Sequence, residues 1–197
     1  MFTLSLCAAG CGHPAFTGST LCAKHSANPA AEAEKLGNYM IQQKTVKDIC
    51  AQGLHFREID FSNHQFYGCN FSGASFTKCL FAGAVIRMSF FDFSTLSFCN
   101  FSAGDMQFLS LAGAVIQSCT FEGSELVSIN FGGAAISDSI FNKTNLYNSR
   151  FVSANILRTT FIDCNLKRTN FVKSSQKNIS YKASNTAEAI FEMEEYN

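Results

Sequence analysis

An apolar residue recurs at every fifth position through most of this chain, and no other feature of the sequence restricts the fold as much. The series runs without a miss over 24 consecutive positions from Phe56 to Phe171. A period of five fits neither the α-helix, which repeats every 3.6 residues, nor the β-strand, which repeats every two. The members of the series are Phe56, Phe61, Phe66, Phe71, Phe76, Phe81, Ile86, Phe91, Leu96, Phe101, Met106, Leu111, Ile116, Phe121, Leu126, Phe131, Ile136, Phe141, Leu146, Phe151, Ile156, Phe161, Leu166 and Phe171.

A chain with this period must point one residue of each unit inward and then turn a corner. Four such units close a square coil of 20 residues, and coils can stack through backbone hydrogen bonds about 4.8 Å apart. The interior of such a coil is narrow, so the second inward position, two residues before each centre, must be small. From Cys69 onward this position holds a small residue in every unit except those of Leu109 and Ile129. Residues 20 apart then form columns, such as Phe61, Phe81, Phe101, Phe121, Phe141 and Phe161.

The corners carry their own signals. Asn often precedes the centre, where its side chain can bond to nearby backbone, and Gly often follows two residues after it, where a corner requires positive φ. This combination of centre, small residue and Asn resembles the pentapeptide-repeat family over about residues 54–175. The resemblance implies an all-β fold, a right-handed quadrilateral β-solenoid of about six coils.

The segments on either side of the repeat are predicted to be helical. Asn28 and Pro29 suit a helix start, and residues 28–53 are predicted to form a helical linker and N-terminal cap, interrupted near Gly37 and Asn38. Residues 176–197 are predicted to be a tail with a short helix beginning at Asn185, its apolar side formed by Ile190, Phe191, Met193 and Tyr196.

Residues 1–27 are predicted to form a metal-binding module. They contain Cys7, Cys11, Cys22 and His25, spaced as Cys-x3-Cys-x10-Cys-x2-His, and the stretch is similar to the short zinc knuckles of many bacterial and phage proteins. Three thiolates and one imidazole suit tetrahedral zinc. Because all four positions are filled, we expect the zinc to be structural, and we expect His13 not to be a ligand.

Composition excludes several classes of function. The chain has 15 basic and 15 acidic residues, so it is neither wholly basic like many nucleic-acid binders nor wholly acidic like a DNA mimic. No catalytic set of Ser, His, Cys or carboxylates emerges, and we expect no enzyme activity. No apolar run reaches the roughly 18 residues that span a bilayer, and the inward cysteines need no oxidation, so we expect no membrane partner and a cytoplasmic location.

Two surface features indicate possible contacts. The outward positions of the repeat hold large apolar residues, namely Met88, Phe90, Phe93, Phe98 and Phe108. Exposed aromatic clusters of this kind tend to mark contacts. Three alternatives remain for what covers these side chains: the flanking helices, a second copy of the chain, or another protein.

The second feature is charge. Residues 54–140 carry a net charge of −4 and residues 141–182 a net charge of +7, the latter including Arg150, Arg158, Lys167 and Arg168. The acidic tail can lie against these basic coils, or they can bind an anionic partner such as a nucleic acid.

We interpret the chain as a non-enzymatic binding or scaffold protein with a protein partner. Alternatives are nucleic-acid binding through the zinc knuckle and the basic coils, a bacterial effector, and the gyrase-protecting DNA mimicry known in the family. The last requires an acidic surface, whereas residues 54–175 sum to +1. A homodimer through the C-terminal helix or the exposed Phe cluster also stays open.

Overall fold

The computed structural model describes residues 5–192, which form one α-helix, twelve three-residue strands and a final 3-10 turn. The elements are α1 (Pro29–Gln42), β1 (Thr45–Lys47), β2 (His55–Arg57), β3 (Gln65–Tyr67), β4 (Ser75–Thr77), β5 (Val85–Arg87), β6 (Thr95–Ser97), β7 (Asp105–Gln107), β8 (Val115–Gln117), β9 (Glu125–Val127), β10 (Ala135–Ser137), β11 (Asn155–Leu157), β12 (Ser175–Lys177) and the turn Thr186–Glu188.

The strands form the walls of a four-sided β-solenoid. One wall, face 1, contains β1, β3, β5, β7 and β9, and the wall two corners away, face 3, contains β2, β4, β6, β8, β10, β11 and β12. The walls between them are joined by isolated parallel bridges, beginning with Cys50 to Asn70 on face 2 and Asp60 to Leu80 on face 4. On all four walls the residues pair 20 apart, the period that four five-residue sides require.

The predicted inward columns fill the interior. The rings of Phe101 and Phe121 stack with centroids 4.9 Å apart and planes 5° apart, and Phe121 stacks on Phe141 at 4.6 Å. The small inward positions are buried too, and so are their two large exceptions. Leu109, one of these exceptions, lies beside the aliphatic centres Met106 and Leu111, around a void of only about 10 Å³. A larger inner residue is accommodated there because the two centres that flank it along the chain are aliphatic.

The corners have the predicted chemistry. The Oδ1 of Asn70 accepts a hydrogen bond from the amide of Ser72 at 3.0 Å, and Asn100 makes the equivalent bond at 2.9 Å. The position two after each centre has positive φ whether or not it is glycine; Gly133 has φ 66° and Phe98 has φ 58°. The left-handed corner is therefore a property of the coil and not of its glycines.

Gly133 offers a direct test of this corner. A Cβ at Gly133 would meet no atom within 4 Å, so only the backbone conformation opposes a side chain there. Since non-glycine residues pay a steric penalty at positive φ, we expect Gly133→Ala to lower the free energy of unfolding by about 1 kcal/mol. Urea denaturation followed by circular dichroism measures this. An unchanged stability would show that the corner accepts any residue at no cost.

The solenoid is longer than the predicted six coils, with about seven turns. It begins at β1, inside the predicted linker, with Val46 as a buried centre. It continues beyond residue 175, where the ring of Phe171 stacks on that of Phe191 at 5.1 Å. The sequence conceals this extension because Ala51 and Gln176 occupy centres where a large apolar residue is expected.

The N-terminal helix begins as predicted but differs further along. The Oδ1 of Asn28 accepts a hydrogen bond from the amide of Ala31 at 3.0 Å, and Pro29 follows as the first helical residue. The helix then runs unbroken through Gly37 and ends at Gln42, so the predicted interruption is wrong. Gly37 serves close packing instead, because a Cβ there would lie 2.9 Å from the Cδ1 of Ile59.

The C-terminal helix predicted from Asn185 is also wrong within the described residues, where only the 3-10 turn is helical and Ile190 bridges to Asn170 on face 2. Met193 and Tyr196 lie outside those residues. Within residues 5–192, no helix combines the length and the apolar character needed to cross a membrane.

Candidate metal centre and exposed surfaces

Two short backbone structures bring the four predicted metal ligands together. The amide of Cys7 donates to the carbonyl of His13 at 2.9 Å, closing a loop that also holds Cys11. The amide of His25 donates to the carbonyl of Cys22 at 3.0 Å, so these two side chains share one turn. The Sγ atoms of the three cysteines and a ring nitrogen of His25 then lie within 4.8 Å of one another. His13 is outside this group, as predicted.

The distances match a tetrahedral metal site. The Sγ atoms of Cys11 and Cys22 are 3.7 Å apart, and the Nδ1 of His25 is 3.5 Å from the Sγ of Cys7 and 3.5 Å from that of Cys22. A tetrahedron with metal–sulfur bonds of about 2.3 Å and a metal–nitrogen bond of about 2.0–2.1 Å has edges of about 3.8 Å and 3.6 Å. The four residues therefore suit a metal bound through three thiolates and Nδ1.

The electrostatics of the cluster support thiolates. Burial raises the pKa of Cys7, but hydrogen bonds from the backbone of Cys22 and Ala9 and from the His25 side chain outweigh it and lower this pKa to about 6. Burial also raises the pKa of Cys22, but hydrogen bonds with the backbone of Lys24 and with the His25 side chain outweigh it, so this pKa is lowered as well. A hydrogen bond with the backbone of His13 lowers the pKa of Cys11. Burial and the neighbouring thiols of Cys22 and Cys7 raise it by more, so the pKa of Cys11 is raised overall. A bound cation would remove that repulsion between thiolates.

The metal-binding module is also joined to the first turn of the solenoid. The amide of Thr17 donates to the carbonyl of Cys50 at 2.9 Å, and the amide of Cys50 donates to the Oγ1 of Thr17 at 2.8 Å. Phe16 is buried in the core, and Ala23 lies against Gly53. The module therefore covers the backbone edge where face 2 begins. In the sequence Cys50 carried no signal, because it belonged to the predicted linker.

The five apolar residues predicted to face outward are exposed, from 41% for Phe90 to 75% for Phe93. Met88 and Phe108 share the corner between faces 1 and 2, Phe93 lies on the next corner, and Phe98 on the one after it. Helix α1 packs on β2 at the base of the solenoid. Covering of these side chains by flanking helices is therefore contradicted within residues 5–192.

The basic residues of the later coils lie on more than one side of the solenoid. Arg150 lies on face 2, Lys167 on face 1 and Arg168 on the corner between them, whereas Arg158 lies on the corner between faces 3 and 4. Arg158 binds Asp138 with two hydrogen bonds of 2.6 Å and 2.8 Å, and it lowers the pKa of that carboxyl. Among residues 5–192, no ion pair joins the acidic tail to these coils.

Two known protein families match the repeat region of this chain. A family described as "Pentapeptide repeats (8 copies)" matches residues 52–92, and one described as "Pentapeptide repeat region" matches residues 114–191. The chain belongs to the pentapeptide repeat family. These matches include the later coils, among them the turn that ends at Ile190.

Solved pentapeptide repeat proteins are similar to this chain at low sequence identity. A trypsin-treated variant of QnrB1, a plasmid-mediated fluoroquinolone resistance protein, is 18% identical, with a TM-score of 0.59 over 75% of this chain and 70% of that one. Rfr23 from the cyanobacterium Cyanothece is 15% identical, with a TM-score of 0.45 over 47% of this chain and 63% of that one. HetL from Nostoc, involved in heterocyst differentiation regulation, is 11% identical, with a TM-score of 0.27 over 80% and 95%. No curated protein matches the sequence.

Proposed function

We propose that this pentapeptide repeat protein is a non-enzymatic binding or scaffold protein, which presents its solenoid surface to a protein partner and holds a structural zinc ion at its N-terminus. The observation that carries the proposal is the set of large apolar side chains on the corners of the solenoid, 56–75% exposed for Met88, Phe93, Phe98 and Phe108. Exposed apolar clusters on an ordered framework are typical of contact surfaces.

The accessible chemistry supports binding over catalysis. The inward cysteines are buried, and burial raises the pKa of Cys69 to about 11 and also raises that of Cys164, which makes both poor nucleophiles. Cys7, with its lowered pKa, belongs to the metal cluster. All four ligand positions of that cluster are supplied by side chains, and structural zinc sites are closed in this way.

Zinc suits this ligand set better than harder cations do. Magnesium and calcium prefer oxygen ligands, whereas three thiolates with one imidazole favour zinc. Cys7, Cys11, Cys22 and His25 would hold the ion, and it would supply cross-linking energy to a module of about 20 residues, too small to fold on its own hydrophobic core.

A protein partner fits the surface better than a nucleic acid. Arg150, Lys167 and Arg168 lie on faces 1 and 2, but Arg158 lies away from them and is already paired with Asp138. A nucleic acid needs its basic contacts on one face or in one stripe. The large apolar residues stand on three corners, but all of them lie between Met88 and Phe108, within about one turn of the coil.

Affinity purification from the native cell, after cross-linking, tests this proposal. The bait is the full chain as wild type, as Phe98→Asp, and as the double variant Phe90→Asp with Phe108→Asp. Ser118→Asp is the matched control. Ser118 lies one turn after Phe98 on the same corner, so this substitution adds the same charge there without removing a ring. We expect a partner that is recovered with wild type and Ser118→Asp but at least about tenfold less with one of the Phe variants. Equal recovery by all four baits would contradict the proposal.

A further inference from the structure

We propose that face 2 of the solenoid, with the corner on either side of it, is the interface of an antiparallel dimer of this chain. The two copies would pack side by side, related by a two-fold axis that crosses the solenoids at the level of Phe108. The proposal rests on the proposed function only in treating the exposed rings as a contact surface. Its test uses the purified chain alone, so it can fail while the binding of another partner stands.

The first observation is where the bulky residues stand. Met88, Phe93 and Phe108 occupy left-handed corners with φ of 47°, 56° and 52°. Bulky residues are disfavoured at such angles, and neighbouring turns of the same columns hold Gly or Ser, at Gly68, Ser128, Gly73 and Gly113. The fold itself does not require large side chains at these corners. Large exposed side chains at such corners point to a role in contact, and Met88, Phe93 and Phe108 differ from Phe98 in that their corners border face 2.

The second observation is that face 2 changes shape along its length. The exposed rings stand on its lower turns, up to Phe108, whereas the two turns directly above it present mostly small residues. These small residues are Ser110, Ala112, Gly132 and Gly133, while the ring of Phe93 lies against Gly113 of its own chain. A two-fold axis in the contact plane, perpendicular to the solenoid, reverses the order of the turns in the second copy. The raised turns of each copy then face the flat turns of the other, as a self-complementary interface requires.

This arrangement gives specific neighbours. Positions on one corner repeat every 20 residues, so Met88 and Ser128 lie one turn below and one turn above Phe108. In the antiparallel pair Phe108 meets Phe108 of the second copy, and Met88 meets Ser128. On the other corner, Phe93 comes to lie over Gly133 of the second copy, because Gly113 there is already in contact with that copy's own Phe93. Ring on ring and ring on backbone are both favourable contacts.

The third observation is the charge on this wall. On face 2 and its two corners, the solenoid carries only acidic side chains below Phe108, at Asp48 and Asp92. Above Phe108 the charged residues are basic up to the last turn, namely Arg150, Arg168 and Lys173. Antiparallel packing therefore brings opposite charges together. A parallel pair, related by a two-fold axis along the solenoid, would place Arg168 against Lys173.

Asp48 and Arg168 define the register. Both lie on the corner that carries Phe108, three turns below it and three turns above it. An axis through Phe108 places Asp48 of each copy opposite Arg168 of the other, which gives two equivalent ion pairs. No ion pair within residues 5–192 involves either side chain. On the other corner the metal-binding module places Lys24 beside Gly53 and Gly73, so the Asp48 corner is the one to test.

The oligomeric state of the purified chain, with its metal bound, tests the apolar contact. We expect a dimer that forms in the micromolar range, measured by sedimentation velocity from about 1 to 100 μM. Phe108→Asp should weaken dimerisation at least about tenfold. Phe98→Asp is the matched control: Phe98 has the same place in the repeat and 56% exposure against 63% for Phe108, but it lies on a corner away from face 2. A wild type that stays monomeric, or equal weakening by both variants, would overturn the proposal.

Charge reversal tests the antiparallel register. Asp48→Arg and Arg168→Asp should each weaken dimerisation, since each places like charges together at both ends of the interface. The double variant restores opposite charges, and its dimerisation should return to within about threefold of wild type. If the double variant is as weak as the single variants or weaker, the two residues do not face each other and the register is wrong.

Discussion

Replacing Phe121 with alanine should lower the free energy of unfolding by about 3–5 kcal/mol, the largest stability effect we expect from a single core residue. Phe121 is 1% exposed and lies between two other rings, 4.9 Å from Phe101 and 4.6 Å from Phe141. Alanine would leave a cavity of nearly a ring in an interior that its neighbours cannot easily fill. Their positions are fixed by backbone hydrogen bonds at every turn, such as that from the amide of Phe121 to the carbonyl of Ile140 at 2.7 Å.

Phe98→Ala is the matched control for this experiment, because it removes the same ring from an exposed corner. Its effect on stability should stay within about 0.5 kcal/mol. The chain has no tryptophan, so urea unfolding is best followed by far-ultraviolet circular dichroism. If Phe121→Ala lowers the free energy of unfolding only as little as the control does, the ring column contributes little to the stability of the solenoid.

The position of Phe121 near the middle of the solenoid adds a second readout. In a solenoid each turn contacts only the turns next to it, so stability is close to a sum of local terms. Damage at Phe121 should therefore weaken hydrogen-exchange protection most in the adjacent turns, at amides such as those of Phe101 and Phe141. Turns further away should keep more of their protection. A uniform loss throughout the chain would indicate one cooperative unit.

The solenoid could be predicted from the sequence because its rule is local and is repeated many times. Centre, small residue and corner recur every five residues, so a single exception such as Leu109 does not hide the pattern. The ends could not be predicted as well. At Gln176 a polar residue occupies a centre, but the strand still pairs with β11 because backbone hydrogen bonds do not depend on the side chain. At Gly37 a residue that usually weakens helices is retained for tight packing against Ile59.

The cluster of Cys7, Cys11, Cys22 and His25 could be predicted for a different reason. Thiol and imidazole groups at this spacing have few other uses together, and the structure brings all four within 4.8 Å. The attachment of the module to the solenoid could not be predicted. Thr17 and Cys50 are 33 residues apart, in segments without periodicity, and their pairing depends on how the module packs. No pattern in one sequence encodes such a contact.

Removal of the metal should unfold the module and expose the first edge of face 2. Elemental analysis should first find one zinc per wild-type chain, and Cys22→Ser should lose it. In the metal-free chain Phe16 leaves the core, and the two bonds between Thr17 and Cys50 break. Burial of an aromatic ring contributes about 1.5–3 kcal/mol and each bond about 0.5–1.5 kcal/mol, so the edge should lose about 2.5–6 kcal/mol of local stability.

Hydrogen exchange of the full chain measures this loss where it occurs. At about 1.4 kcal/mol for each tenfold change, the amide of Cys50 should exchange at least about sixtyfold faster after chelation. Amides in the middle of the solenoid, such as that of Phe121, should not change. Cys22→Ser should resemble the chelated wild type and show no further response to chelator. Cys99→Ser, which changes an inward cysteine outside the module, should retain both zinc and protection. If Cys50 stays protected without metal, the module holds its place by packing alone, and the ion does not support the end of the solenoid.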